Sequence, residues 1–113
     1  MEIASIEELT TDTVISGETR LVELPSGKAV RVRGLTRYEM MLTRKGTEDI
    51  TLIEARTLSF CMVEPIMTVA QVTAWQKATG PMVIGPVTEA IRDLSGLGEG
   101  AEKSAVREMG EQS

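Results

Sequence analysis

The sequence predicts an α+β domain, mainly α: an N-terminal β-hairpin followed by four short helices, flanked by a flexible arm and a flexible tail. Three observations predict it. Two short aliphatic runs, at 20–24 and 29–33, surround a Pro-Ser-Gly-Lys turn. Two Thr-x-x-Glu/Gln capping boxes then open stretches whose apolar residues recur every three or four positions. Glycine or proline closes each helical stretch. At 113 residues, with 42% hydrophobic and 26% charged residues, the chain is one domain and too apolar for general disorder.

Taken in order, residues 1–19 read as an acidic arm with one helical turn over Ser5–Leu9. The hairpin spans 20–33. Pro25 pre-sets the second position of its turn and Gly27 suits the fourth. Val30 and Val32 point one way and Arg31 and Arg33 the other, as a half-buried strand requires. A helix over 36–45 starts at a capping box of Thr36 and Glu39, with Leu35 and Met40 placed as a hydrophobic staple. Gly46 stops it, leaving Arg44 and Lys45 in the last turn at the negative end of the dipole. A second helix is expected over 47–63, with Glu48 and Asp49 in its first turn. Its apolar face comprises Ile50, Ile53, Leu58, Cys61 and Met62, and Pro65 follows its end. A third spans 68–79, capped by Thr68 and Gln71, stapled by Met67 and Val72, and striped by Val69, Val72 and Trp75. The fourth spans 82–95, with Val83, Val87, Ile91 and Leu94 on one face. Pro86 either kinks this helix or opens it after Gly85. Residues 96–113 are glycine-rich and polar, a flexible tail after a single domain at 20–95.

Composition narrows the chemistry. There is no histidine and one cysteine, so imidazole-activated nucleophiles, imidazole metal ligands, disulfide frameworks and cysteine zinc sites are excluded. No acidic pair has a spacing that defines a carboxylate site. The expectation is a non-enzyme without cofactor or metal. Cys61, on an apolar helix face, reads as a small buried hydrophobe. The acidic N-terminus lacks the basic segment and apolar run of a signal peptide, and no stretch approaches the roughly 20 apolar residues of a membrane span. The chain is therefore expected to be cytosolic.

Charge is segregated along the sequence. Residues 1–19 carry five acids and no Lys or Arg, whereas 20–46 carry seven bases against Glu23 and Glu39. That basic segment admits a nucleic-acid reading, but Tyr38 is the only tyrosine and no interleaved aromatics offer a stacking platform. Solvated faces of a hairpin and a helix explain it more simply. The seven methionines against three aromatic residues point to an adaptable protein-binding surface or to ordinary core filling. Met40, Met41, Met67 and Trp75 are the candidate partner-binding residues. Met41 is the one expected in solvent, because adjacent residues cannot both face one core stripe.

The segment 22–33, running into Gly34-Leu35-Thr36-Arg37-Tyr38-Glu39, resembles the opening of siphophage tail assembly chaperones. The resemblance continues at Val63-Glu64-Pro65-Ile66-Met67-Thr68-Val69-Ala70-Gln71-Val72 with Trp75, and at Ile91-Arg92-Asp93-Leu94-Ser95-Gly96-Leu97. It covers about residues 20–97. It implies a non-catalytic protein of the host cytoplasm, absent from the mature virion. Such a protein binds the tape measure protein, keeps it soluble and recruits major tail tube subunits, with self-association possible. It also implies the shorter of two products related by a ribosomal frameshift. The alternatives are a structural tail component retained in the virion and a small nucleic-acid-binding module using residues 20–46.

Overall fold

The computed structural model describes residues 2–11 and 18–97. In chain order these form α1 (Ile6–Thr11), β1 (Thr19–Glu23), β2 (Ala29–Arg33), α2 (Arg37–Thr43), α3 (Ile50–Cys61), β3 (Met62–Glu64), α4 (Val69–Ala78) and α5 (Pro81–Leu94). The class is α+β, mainly α, as the sequence predicts. Beyond Leu97, the expected tail lies outside the described residues, as does the 12–17 portion of the arm. The turn expected at Ser5–Leu9 is α1, whose Ser5 hydroxyl accepts the Glu8 N–H at 3.1 Å.

The hairpin register runs from Thr19↔Arg33 to Glu23↔Ala29. Its turn is closed by the Gly27 N–H donating to the Leu24 carbonyl at 2.9 Å. Gly27 has φ +87°, in the left-handed region that a residue without Cβ enters freely. Val22, Val30 and Val32 turn into the core, while Arg31 and Arg33 occupy the opposite face of β2.

The main departure from the sequence reading is a third strand. The second helix was expected to continue through Val63. It ends at Cys61, and Met62–Glu64 pairs antiparallel with β2 through Arg31↔Glu64 and Val32↔Met62. Two causes act together: a residue before proline disfavours the α region, and the second edge of β2 offers ladder partners. The start of α3 also moves. Asp49 is its N-cap rather than a first-turn residue, accepting the Thr51 N–H at 2.9 Å and the Thr51 hydroxyl at 2.7 Å. Ile50, expected on the buried face, is 78% exposed; Leu58 and Cys61 are buried there as expected, and Ala55 joins them.

Thr36 and Thr68 both make complete capping boxes, with Glu39 and Gln71 respectively. α2 stops at Thr43, so Arg44 and Lys45 lie past the helix rather than in its last turn. Another cation serves its C-terminus: Arg56, on α3, donates to the carbonyls of Lys45 at 2.7 Å and Thr43 at 3.3 Å. α5 begins with Pro81 and runs through Pro86, which settles the two options for that proline in favour of an interior position. Ile84, not Val83, joins Val87, Ala90, Ile91 and Leu94 on its buried stripe. A Schellman closure ends α5: Leu97 donates to Arg92 at 2.8 Å and Gly96, with φ +79°, donates to Asp93 at 3.1 Å.

α5 packs across β1 and β2, while α3 carries α2 and α4 beside it. The core between them centres on Val32, Leu58, Cys61, Val72 and Val87, all without solvent exposure. The Leu35 N–H donates to the Ser95 hydroxyl at 2.8 Å, tying the entry of α2 to the end of α5. No helix among the described residues is long and apolar enough to cross a membrane.

Candidate interaction surface

The surface with the most distinctive chemistry is the outer side of α2. This short helix is held at both ends, by its own capping box at the start and by a side chain of α3 at the finish. At its start, Glu39 completes the capping box and takes a bidentate pair from Arg33, at 2.8 and 2.7 Å. At its end, Arg56 engages the free carbonyls. Arg33 beside it holds the Glu39 carboxyl below the usual range, against the opposing effect of partial burial.

Helical spacing then places Tyr38, Met41 and Leu42 on one side, bordered by Arg37, Arg44 and Lys45, around a shallow depression. Tyr38 and Met41 are each 62% exposed. Leu42 is half-buried and also lines a neighbouring depression with Arg56, Ser59, Phe60 and Val69. The result is an apolar band running from α2 across α3 to the start of α4, with cations along its α2 edge.

Those cations differ from the other arginines of the basic segment. Arg20 pairs with Asp93 at 3.4 Å, Arg31 with Glu64 at 3.3 Å and Arg33 with Glu39 at 2.7 Å. Among the described residues, Arg37, Arg44 and Lys45 enter no ion pair. No family model, curated protein or solved structure matches this chain. The surface is therefore read from its own chemistry.

Of the four residues singled out from sequence, Met41 alone lies on this band. Met40 faces inward beside Leu35 and Thr43, and Met67 and Trp75 are half-buried against the core. Tyr38, Leu42, Phe60 and Val69 were not singled out. Tyr38 was accessible to the argument used for Met41, since it lies three residues before it on the same helix face. Phe60 and Val69 join the band only through tertiary packing.

The remaining features are chemically quiet. A more polar groove among α3, α4 and α5 has one carboxylate, Glu54, and Gln76 donates to it at 3.1 Å and to the Thr51 carbonyl at 3.1 Å. Among the described residues, no group of three or more His, Cys, Asp or Glu side chains could hold a metal ion. Cys61 is fully buried, and burial pushes its thiol up to about 12, outweighing the opposite pull of Arg33.

Proposed function

We infer that this chain is a phage tail assembly chaperone that binds the tape measure protein, keeps it soluble and recruits tail tube subunits during assembly. The observation that carries the reading is the apolar band in which exposed Tyr38, Met41 and Val69 flank half-buried Leu42 and Phe60. A coating protein needs adaptable contact with apolar helical segments, and a ridge built around a methionine and a tyrosine supplies it without a deep pocket. The sequence resemblance over residues 20–97 supports the same role and gives the partner its identity. The reading places the protein in the host cytoplasm and outside the finished particle, with no catalytic function.

The ion pairs weigh against the nucleic-acid alternative. Three of the seven bases between residues 20 and 46 are committed to carboxylates, which reduces the field available to phosphates. A tagged pull-down from cells expressing the protein with its neighbouring genes, read by mass spectrometry, tests the proposal. Recovery of a very long helical protein, lost on Met41→Glu, is the expected result. Recovery of nuclease-sensitive material alone would replace this reading with the nucleic-acid one, and stable retention in purified virions would replace it with a structural tail role.

A further inference from the structure

The cations beside the apolar band are not explained by the fold. Arg20, Arg31 and Arg33 hold carboxylates of α5, β3 and α2, whereas Arg37, Arg44 and Lys45 enter no ion pair among the described residues. Arg37 also stands against its local field. It is the first residue of α2, where the free N–H groups of the opening turn carry partial positive charge and disfavour a cation. The carboxylate in that turn, Glu39, is already taken by both guanidinium nitrogens of Arg33. Electrostatics within the chain therefore supply no reason for a positive charge at position 37. Spacing adds a direction. Arg37, Met41 and Arg44 follow one another at intervals of four and three, so they share one side of α2 around the depression. The two arginines stand two helical turns apart, roughly 10 Å along the axis.

We propose that the α2 edge selects partner helices whose apolar stripe is bordered by carboxylates two turns apart, with Arg37 as a specificity-determining residue. The inference rests on the reading of the band as the contact for a helical partner. An apolar side chain of that partner lies over Tyr38 and Met41. A carboxylate one turn to either side meets Arg37 at one end and Arg44 or Lys45 at the other. Apolar contact by itself accepts any amphipathic helix. Charge along the edge makes the choice, because a helix bordered by Lys or Arg brings like charges together and opposes the apolar contact. A long helical protein coated by this chain would then be held at acidic-edged segments and passed over elsewhere.

Fluorescence anisotropy of the full chain with three labelled peptides tests it. Each peptide has about 20 residues, enough to be helical in water, and the same leucine stripe, with Glu, Gln or Lys at the two edge positions. The Glu-edged peptide should bind roughly fivefold or more tightly than the Gln-edged one, and the Lys-edged one most weakly. Added salt should narrow these differences. Arg37→Glu should reduce the preference for the Glu-edged peptide while keeping or raising the urea midpoint, since an acid suits the first turn of a helix. Affinity should return when the one peptide carboxylate facing position 37 is replaced by Lys, a rescue that a merely structural role would not give. Lys45→Glu, in an exposed turn, is the independent variant at the other end. Equal binding of all three peptides overturns the edge selection and leaves the chaperone reading intact. Binding of none also overturns it, and the Met41→Glu pull-down then decides separately whether the band carries the chaperone role. Displacement of the Glu-edged peptide by a lower concentration of single-stranded oligonucleotide would assign the cations to phosphates and likewise overturn it.

Discussion

Glu39 serves two structural roles with one carboxylate. It accepts the Thr36 N–H at 3.0 Å to complete the cap of α2, and it accepts both guanidinium nitrogens of Arg33. Glu39→Ala removes both and should cost about 2 kcal/mol, whereas Glu39→Gln keeps the cap and should cost less. Urea unfolding of the two variants separates the contributions. Because the folded carboxyl titrates below its ordinary value of 4.5, its contribution is complete above that pH and disappears as acid titrates the folded form. The pH dependence of wild-type stability below 4.5 should therefore flatten in Glu39→Gln. Cys61 behaves in the opposite sense. Its thiol ionises near 9.0 when unfolded and near 12 when folded, so folding is favoured below pH 9 and loses that advantage as pH rises towards 12. A thiol reagent at neutral pH should leave the native protein unmodified and react once it is denatured, since the buried group is protonated and inaccessible.

Among the elements, the hairpin and the two boxed helices were legible in sequence because local chemistry alone determines them. A Pro-Ser-Gly turn and a Thr with Glu or Gln three residues later need no knowledge of the rest of the chain. The third strand was not legible in the same way. Met62-Val63-Glu64 is too short to show alternation and continues an apolar helical pattern, so only its pairing with β2 distinguishes it. Pro65 carried the one local signal, its bias on the preceding residue. The candidate surface divides likewise. Met41 could be assigned to solvent from its neighbour's place in the core, whereas Phe60 and Val69 depend on how α3 and α4 meet α2. Pro86 gives this scale its own test. It has no N–H for the Met82 carbonyl one turn earlier, and both residues are exposed. Pro86→Ala restores that bond at a solvent-facing position and should stabilise the protein by roughly 1–3 kcal/mol in urea unfolding. No gain would mean that this part of α5 already accommodates the ring without loss.

At the level of the whole molecule, charge is distributed by role. Arg20, Arg31 and Arg33 fasten the hairpin to α5, β3 and α2, while Arg37, Arg44 and Lys45 remain available to another molecule. The total charge of −5 favours solubility, while Arg37, Arg44 and Lys45 give the outer side of α2 a local positive edge. Adding salt should therefore weaken association through that face while leaving the Arg33–Glu39 pair, which is half-buried, less affected. The Arg20–Asp93 pair has a topological consequence as well. It draws the first strand and the last helix together, so the chain enters and leaves the folded core on neighbouring ground, with the Pro25–Lys28 turn as an independent break point. A circular permutant opened between Ser26 and Gly27, with Leu97 joined to Glu18 by about six to eight Gly/Ser residues, should retain a cooperative unfolding transition. If that transition is lost, the hairpin turn is needed to assemble the sheet; if it survives, the order in which the strands are synthesised is immaterial to the fold.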